Sequence, residues 1–524
     1  MGVGTVLGSR DPQRSFFGAI SQFGIEAVEK LGFYGKVALH GHEVFKDEDF
    51  AGIYCMDNGR ASVPPSVVAL ARLLQHYAGI SDAEVVERCR YDLRWKIALD
   101  MDPETFEAPF SKSTFQAFRT RLTLHCEEGI AFERSVRFAR ELGILPNKLC
   151  VALDSSPVRG RGAVKDTFCL LSDAIAEVVR RVARKWRRPP EEVAEEAGLG
   201  RHITALSIKG SEVVDWSSEE DKSRFLKGLL EDCNQAVELA DHADCASAQV
   251  DLLKKIITQD VEPGTEDGRQ PEIRRGVAKD RVSSVTDPDA RHSRKSSGKT
   301  YTGHKVHVAV DQASGVIVAT EVAAPGEADG DKVKQLIERS EEVTGCEVEG
   351  ALGDCAYGSD EAQRQAQECG VDLKTKMPAH RKGLFGPGDF EVSEDHRSAT
   401  CPAGHQSEKQ YKAKDGILHK WLATTCHACP LRDKCTTSKS GRRQMIVRAN
   451  FHDRRSREKY ANSGEGRAVL RKRVVVEHAI GRVKNLGAGT ARYIGQAKTH
   501  TQWLWSAAVA NLSLVWGKQA FVNA

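Results

Sequence analysis

Leu470-Arg-Lys-Arg-Val-Val-Val-Glu-His-Ala-Ile-Gly-Arg-Val-Lys484 is the stretch from which the rest of the chain is read. At about 100° per residue, Leu470, Arg473, Glu477, Ile480 and Lys484 fall within roughly 80° on one face of a helix. A carboxylate therefore sits between two cations on an otherwise apolar stripe. As an i, i+4 ion pair alone this contributes only about 0.5 kcal/mol. If two more carboxylates converge on Glu477, the stripe becomes a metal-binding acid flanked by phosphate-gripping cations.

Two such carboxylates stand at the ends of apolar runs. Leu149-Cys-Val-Ala-Leu-Asp154 is too short and too β-branched for a helix, and Ser155-Ser156-Pro157 follows it. It predicts a buried strand that stops before the proline, with Asp154 at the rim of a sheet. Alternation over His304–Asp311, a turn at Gly315 and a return over Val316–Val322 predict a β-hairpin. A helix over Asp331–Val343, a strand Val348–Asp354 ending in a second acid, a helix Ser359–Cys369 and a short strand Val371–Lys376 complete the pattern. The order implies an α/β layer with a mixed sheet, and both acids lie where a sheet offers side chains to a cleft.

Upstream, Pro64-Pro65 opens a helix, Gly79 turns the chain, and Ser81 or Asp82 caps a second helix. A third covers Ser113–Leu122, with Phe115, Phe118 and Leu122 inward and Arg119 and Arg121 outward. Helix, glycine turn, helix is the outline of a DNA-reading motif, though most such outlines are packed helices only. Residues 163–280 read as a helical insertion without chemistry. Residues 379–464 carry Cys401, His405, Cys426, Cys429 and Cys435, with the spacing of a structural Zn²⁺ site. Cys401, Cys426, Cys429 and Cys435 are the expected ligands, with His405 able to replace one. The remaining cysteines mostly lie singly in apolar runs, as core residues do. Thr501–Gly517, with Trp503, Trp505 and Trp516, reads as a closing helix packed on the core.

At 524 residues the chain exceeds a single core. No apolar run approaches a membrane span, and residues 1–18 lack the layout of a signal peptide, so a soluble, cytoplasmic protein is expected. The net charge of +3 says little, but between Pro430 and His500 eighteen Lys and Arg face five acids. That local excess, Arg492 included, is expected to meet a phosphate backbone.

Several segments carry a closer likeness: Leu153-Asp-Ser-Ser-Pro157, Thr286-Asp-Pro-Asp-Ala-Arg291, Tyr301-Thr-Gly-His-Lys-Val-His307, Asp354-Cys-Ala-Tyr-Gly-Ser359 and Ala491-Arg-Tyr-Ile-Gly495. Together, from about Ala61 to Trp516, the chain resembles the DDE transposases of bacterial insertion sequences. The resemblance implies a ribonuclease-H-like mixed-sheet core formed by residues 146–162, 281–378 and 465–517. It also implies an N-terminal helical domain, residues 1–140, that grips the element's terminal inverted repeats. Asp154, Asp354 and Glu477 land on the catalytic triad, and Arg473 and Lys484 on an Arg-x3-Glu-x6-Lys signature. Where that signature often has a tyrosine three positions before the arginine, this chain has Leu470.

Three carboxylates suit two Mg²⁺ or Mn²⁺ ions, since hard cations take oxygen ligands. Element ends would be cut by hydrolysis, and the freed 3′-hydroxyl joined to target DNA by transesterification. A dimer or larger assembly on double-stranded DNA is expected, because two ends must be joined. The alternatives are a ribonuclease-H-like nuclease or resolvase, and a domesticated DNA-binding protein without activity. Asp287 and Asp289 read as turn residues, His304 and His307 as surface and strand histidines, and Tyr357 as packing over Asp354 or touching DNA.

Overall fold

The computed structural model describes residues 5–10, 19–55, 59–205, 207–210, 213–264, 270–278, 280–296, 298–377 and 383–522. Most of residues 1–18 and the start of the Cys-rich segment lie outside these. The centre is a six-stranded mixed sheet built from β1 (Lys148–Arg159), β2 (Arg291–Ser296), β3 (Lys299–Asp311), β4 (Ile317–Ala323), β5 (Glu347–Gly353) and β6 (Asp372–Thr375). Neighbours run β6-β5-β1-β3-β2, with β4 also on β3. β1, β5 and β6 are parallel, while β3 is antiparallel to both β1 and β4. Near-continuous Val, Ala and Leu in β1 and β3 suits strands buried on both faces.

β1 is longer than the sequence predicts, running through Pro157 to Arg159. The parallel partner β5 ends its pairing at Ala152↔Leu352, whereas pairing to β3 continues to Arg159↔Gly303. Arg159 N–H points away from β3, donating to Gly489 O at 3.0 Å. Pro157, two residues earlier, turns its missing donor to that same side, where β5 has already left. The proline interrupts no ladder, and Asp154 lies within the strand rather than at its tip.

Gly303, in the Tyr301–His307 segment, has φ +154 and sits against the end of β1. A Cβ there would lie 2.1 Å from Val158 O and 2.3 Å from Gly160 N. Gly303→Ala is therefore expected to cost about 3 kcal/mol, because backbone rather than a flexible side chain must move. Chemical denaturation reads it, and a midpoint equal to wild type would disprove the close approach.

Nine helices matter here: α1 (Pro65–Ala78), α2 (Asp82–Tyr91), α3 (Lys112–Leu124), α4 (Ile130–Glu141), α5 (Val333–Thr344), α6 (Asp360–Glu368), α7 (Gly464–Arg471), α8 (Val474–Val483) and α9 (Gln496–Val522). Pro65 occupies the first turn of α1 and left-handed Gly79 ends it. Ser81, Ser111 and Ser359 each cap the next helix by accepting a first-turn amide.

α9 buries Trp503, Trp505 and Trp516 and covers the outer edge of β4 with polar side chains. Asn511 bonds both Ile317 N–H and Ile317 C=O at 2.9 Å, His500 lies 2.9 Å from Thr320 O, and Gln496 donates to Val322 O. The sheet edge is thereby closed to other strands. α1 and α4 pack on the same helix, so the N-terminal helices and the sheet share one apolar core. The boundary expected near residue 140 does not divide two cores. The helical insertion, by contrast, has its own core around Leu171, Ile175, Leu229 and Leu253. The Cys-rich segment closes a small one around Phe390, Trp421, Met445 and Phe451.

Candidate active site

Ala152 and Leu352 are the last paired residues of β1 and β5. Asp154 and Asp354 each stand two residues beyond this last pair, on neighbouring strands, near enough for the charge of Asp354 to act on the Asp154 carboxyl. Asp354 caps the turn Cys355–Tyr357 by accepting Ala356 N–H at 2.9 Å. Asp154 Oδ1 accepts Ser155 N–H at 2.8 Å.

The third acid arrives from a broken helix. Instead of one helix from Leu470 to Lys484, α7 ends at Arg471 and α8 begins at Val474. The joint is made of i→i−3 bonds, Arg473 N–H to Leu470 O at 3.3 Å and Val476 N–H to Arg473 O at 3.1 Å. The run Val474-Val475-Val476, stiff at χ1, follows at once and weakens helical continuity. Arg473 still reaches Glu477. Its Nη2 donates to Glu477 Oε1 at 2.5 Å and its Nη1 to Asp154 Oδ2 at 3.0 Å. Arg473 is 7% exposed, whereas the Glu477 side chain is half exposed. A buried guanidinium thus joins two of the three expected acids. Burial pushes the Asp154 carboxyl above its ordinary value of 3.8, with Arg473 pulling it down and Asp354 adding to the rise.

Groups outside the expected set complete the surroundings. Ser155 Oγ donates to Asp329 Oδ2 at 2.9 Å, and Lys305 Nζ donates to Asp329 Oδ1 at 2.7 Å. Lys305 belongs to the Tyr301–His307 segment, the only signal the sequence offered for it. Tyr357 is fully buried, with its hydroxyl 3.1 Å from His307 Nδ1. It is held inside rather than offered to DNA. Burial raises its pKa well above 10, and the negative charges of Asp329, Asp154 and Asp354 add to the rise. His304 and His307 are both buried rather than superficial, and His304 faces Asp287 Oδ2 at 3.7 Å. Asp287 and Asp289 are more than turn residues: they accept the amides of Gly495 and Gln496 at the start of α9.

Of the cations expected on DNA, the stem of Lys484 packs near Gly489, and Arg492 stands half buried before α9. Arg119 and Arg121 do not project freely. Arg119 grips both oxygens of Asp82 at 3.2 and 3.1 Å and Tyr493 Oη at 3.0 Å, and Arg121 covers the Tyr54 ring at 4.7 Å. Nearby acid and phenol outcompete solvent for these guanidiniums.

In the Cys-rich segment, Cys401, Cys426, Cys429, Cys435 and His405 line one cavity of about 20 Å³, room for a single atom-sized occupant. Gly404 N–H to Cys401 O at 2.8 Å and Cys429 N–H to Cys426 O at 3.3 Å form tight turns at the thiols. Burial raises the Cys435 thiol, and the other three sulfurs add to this. As the side chains stand, no group of three or more His, Cys, Asp or Glu among the described residues is arranged to hold a metal ion. No helix among them is long and apolar enough to cross a membrane.

Residues 400–516 match a family profile described as Transposase DDE domain, and residues 38–121 match one described as Transposase domain (DUF772). The first takes in Glu477 and the cysteine cluster, while Asp154 and Asp354 lie outside both. No curated protein and no solved structure matches the chain.

Proposed function

We propose that this chain, whose two domain matches are both to transposase domains, is a DDE-type transposase of an insertion sequence that cuts DNA strands at element ends and joins the freed 3′-hydroxyls to target DNA. The observation that carries the reading is that Asp154 and Asp354 follow the last paired residues of two adjacent parallel strands, with Glu477 tied to Asp154 through Arg473. The strand order β4-β3-β1-β5-β6, antiparallel on one side of β1 and parallel on the other, supports a ribonuclease-H-like core.

The chemistry of these donors, all carboxylate oxygen, fits hard divalent ions. Two Mg²⁺ or Mn²⁺ ions, when bound, supply a deprotonated attacking oxygen and neutralise charge on the phosphate. Asp154, Asp354 and Glu477 would hold them. The Tyr357–His307 contact fixes the turn that follows Asp354, and Ser155 links the Asp154 strand to Asp329. Arg473, freed from its two carboxylates, and Lys484 take DNA phosphates beside the reacting one.

Incubating the protein with end-bearing duplex and Mn²⁺ tests this. Joined products support the transposase chemistry. Cleavage without joining would favour a nuclease or resolvase, and binding alone a domesticated DNA-binding protein. Because two ends must meet, the joining species is at least a dimer.

The same reading gives the Cys-rich segment a structural Zn²⁺, held by Cys401, Cys426, Cys429 and Cys435, with His405 the fifth donor on the cavity wall. Its apolar core is too small to be stable alone. About one zinc per chain is expected by elemental analysis, and Cys426→Ser or a strong chelator is expected to open residues 383–464 to trypsin. Metal-free protein that resists trypsin there would remove zinc from the account.

A further inference from the structure

Where the N-terminal helices meet the loop before α9, an open trough of about 470 Å³ is lined by Ser81, Asp82, Lys112, Arg161, Arg492 and Tyr493. Its charge is one-sided. Asp82, the acid on the wall, is already occupied by Arg119, Gln75 and Gln116. Lys112, Arg161 and Arg492 form no ion pair with any described residue. Three cations so placed around one hollow repel each other, and no ion pair with a described residue offsets them.

The wall behind them is positive as well. Arg72 is 1% exposed, with Nε and Nη1 unpartnered and its guanidinium 4.7 Å from the Trp505 ring centroid. Burial holds His76 neutral, and the fields of Arg72, Arg492 and Arg119 reinforce this. The ten-residue helix α2 also begins on the trough. Ser81 Oγ takes the amide of Glu84, leaving the first-turn amides of Asp82 and Ala83 and the positive end of the helix dipole for an anion.

From this convergence we infer that the trough seats a phosphate of the DNA backbone, held by Lys112, Arg161, Arg492 and the first amides of α2. The inference rests on the proposed function and extends it, because neither Lys112 nor Arg161 belongs to the triad or its signature. Arg161 lies seven residues beyond Asp154, at most about 24 Å along the chain. That is at most roughly seven base pairs of duplex. A phosphate bound here would tie the N-terminal helices, the strand bearing Asp154 and the segment after Glu477 to one stretch of DNA. Tyr493, fixed by Arg119 at 3.0 Å, lines the trough beside Arg492.

The test is fluorescence anisotropy of full-length protein on end-bearing and random duplexes, in EDTA so that catalysis is silent. Arg161→Gln/Arg492→Gln is expected to weaken both duplexes by at least about tenfold and to reduce the salt slope by about 2. Melting should stay at the wild-type temperature, since neither side chain makes an ion pair. A double variant with wild-type affinity and salt slope overturns the trough while leaving the proposed function intact. Wild-type protein that binds no duplex overturns both. Inorganic phosphate alone is the second probe. If it raises the melting temperature of wild type but not of the double variant, while DNA binding is equal in the two, the trough serves a free anion and the backbone assignment fails.

Discussion

Asp154→Asn is expected to reduce end cleavage and strand transfer by at least about 10³-fold, while duplex affinity in EDTA stays at the wild-type value. The carboxylate feels the charge of Asp354 and is bonded to Arg473, which also holds Glu477. Losing a holder of the metals forfeits several kcal/mol of charge stabilisation, at about 1.4 kcal/mol per factor of ten. Misfolding would mimic this loss, and the pKa direction separates the two. Burial raises the folded-state pKa of Asp154 above 3.8. Above that raised value the ionised side chain costs stability, and the cost is relieved as pH falls through it toward 3.8. At neutral pH the neutral isostere should therefore melt no lower than wild type. Metal-dependent activity should also decline as pH is lowered through the raised value, since protons compete with the ions. A variant that melts normally yet keeps more than a tenth of wild-type cleavage would remove Asp154 from the catalytic set.

The parts of the site that were legible in the sequence are those set by local rules. Apolar runs ending in Asp154 and Asp354 gave the strands, Ser81 and Ser359 gave helix starts, and the three tryptophans gave the closing helix. The rest depended on partners distant in sequence. Pro157 looks like the end of a strand until one knows that β5 leaves β1 at Ala152, so that the proline faces no ladder. The helix of Glu477 looks continuous by spacing, but it bends where Arg473 turns inward to Asp154, 319 residues away. Arg119 reads as a surface cation because Asp82 and Tyr493 are brought to it only by the fold. His304 and Asp287 come from segments whose likeness was visible, yet their common burial was not. Charge and periodicity rank which groups could act, and tertiary contacts decide which are already taken.

Arg473 yields the second large effect, and its two readouts move in opposite directions. Its guanidinium supplies positive charge between Asp154 and Glu477. Cations bound by these acids must displace it. Arg473→Gln removes that competitor but leaves one partly buried and one half-exposed carboxylate without this counter-ion. In EDTA the variant is expected to lose about 2 kcal/mol of stability, the cost of removing one partner from charged hydrogen bonds. Mn²⁺ is expected to bind it at least about tenfold more tightly, because about 1.4 kcal/mol of that displacement is no longer required. Melting curves should then show a larger Mn²⁺-induced rise for the variant than for wild type. Strand joining should nonetheless fall, because the phosphate that Arg473 would grip after its release has lost its partner. Should Mn²⁺ raise both melting temperatures equally, the guanidinium does not compete for the ions, and its bridge between Asp154 and Glu477 is an ordinary packing contact.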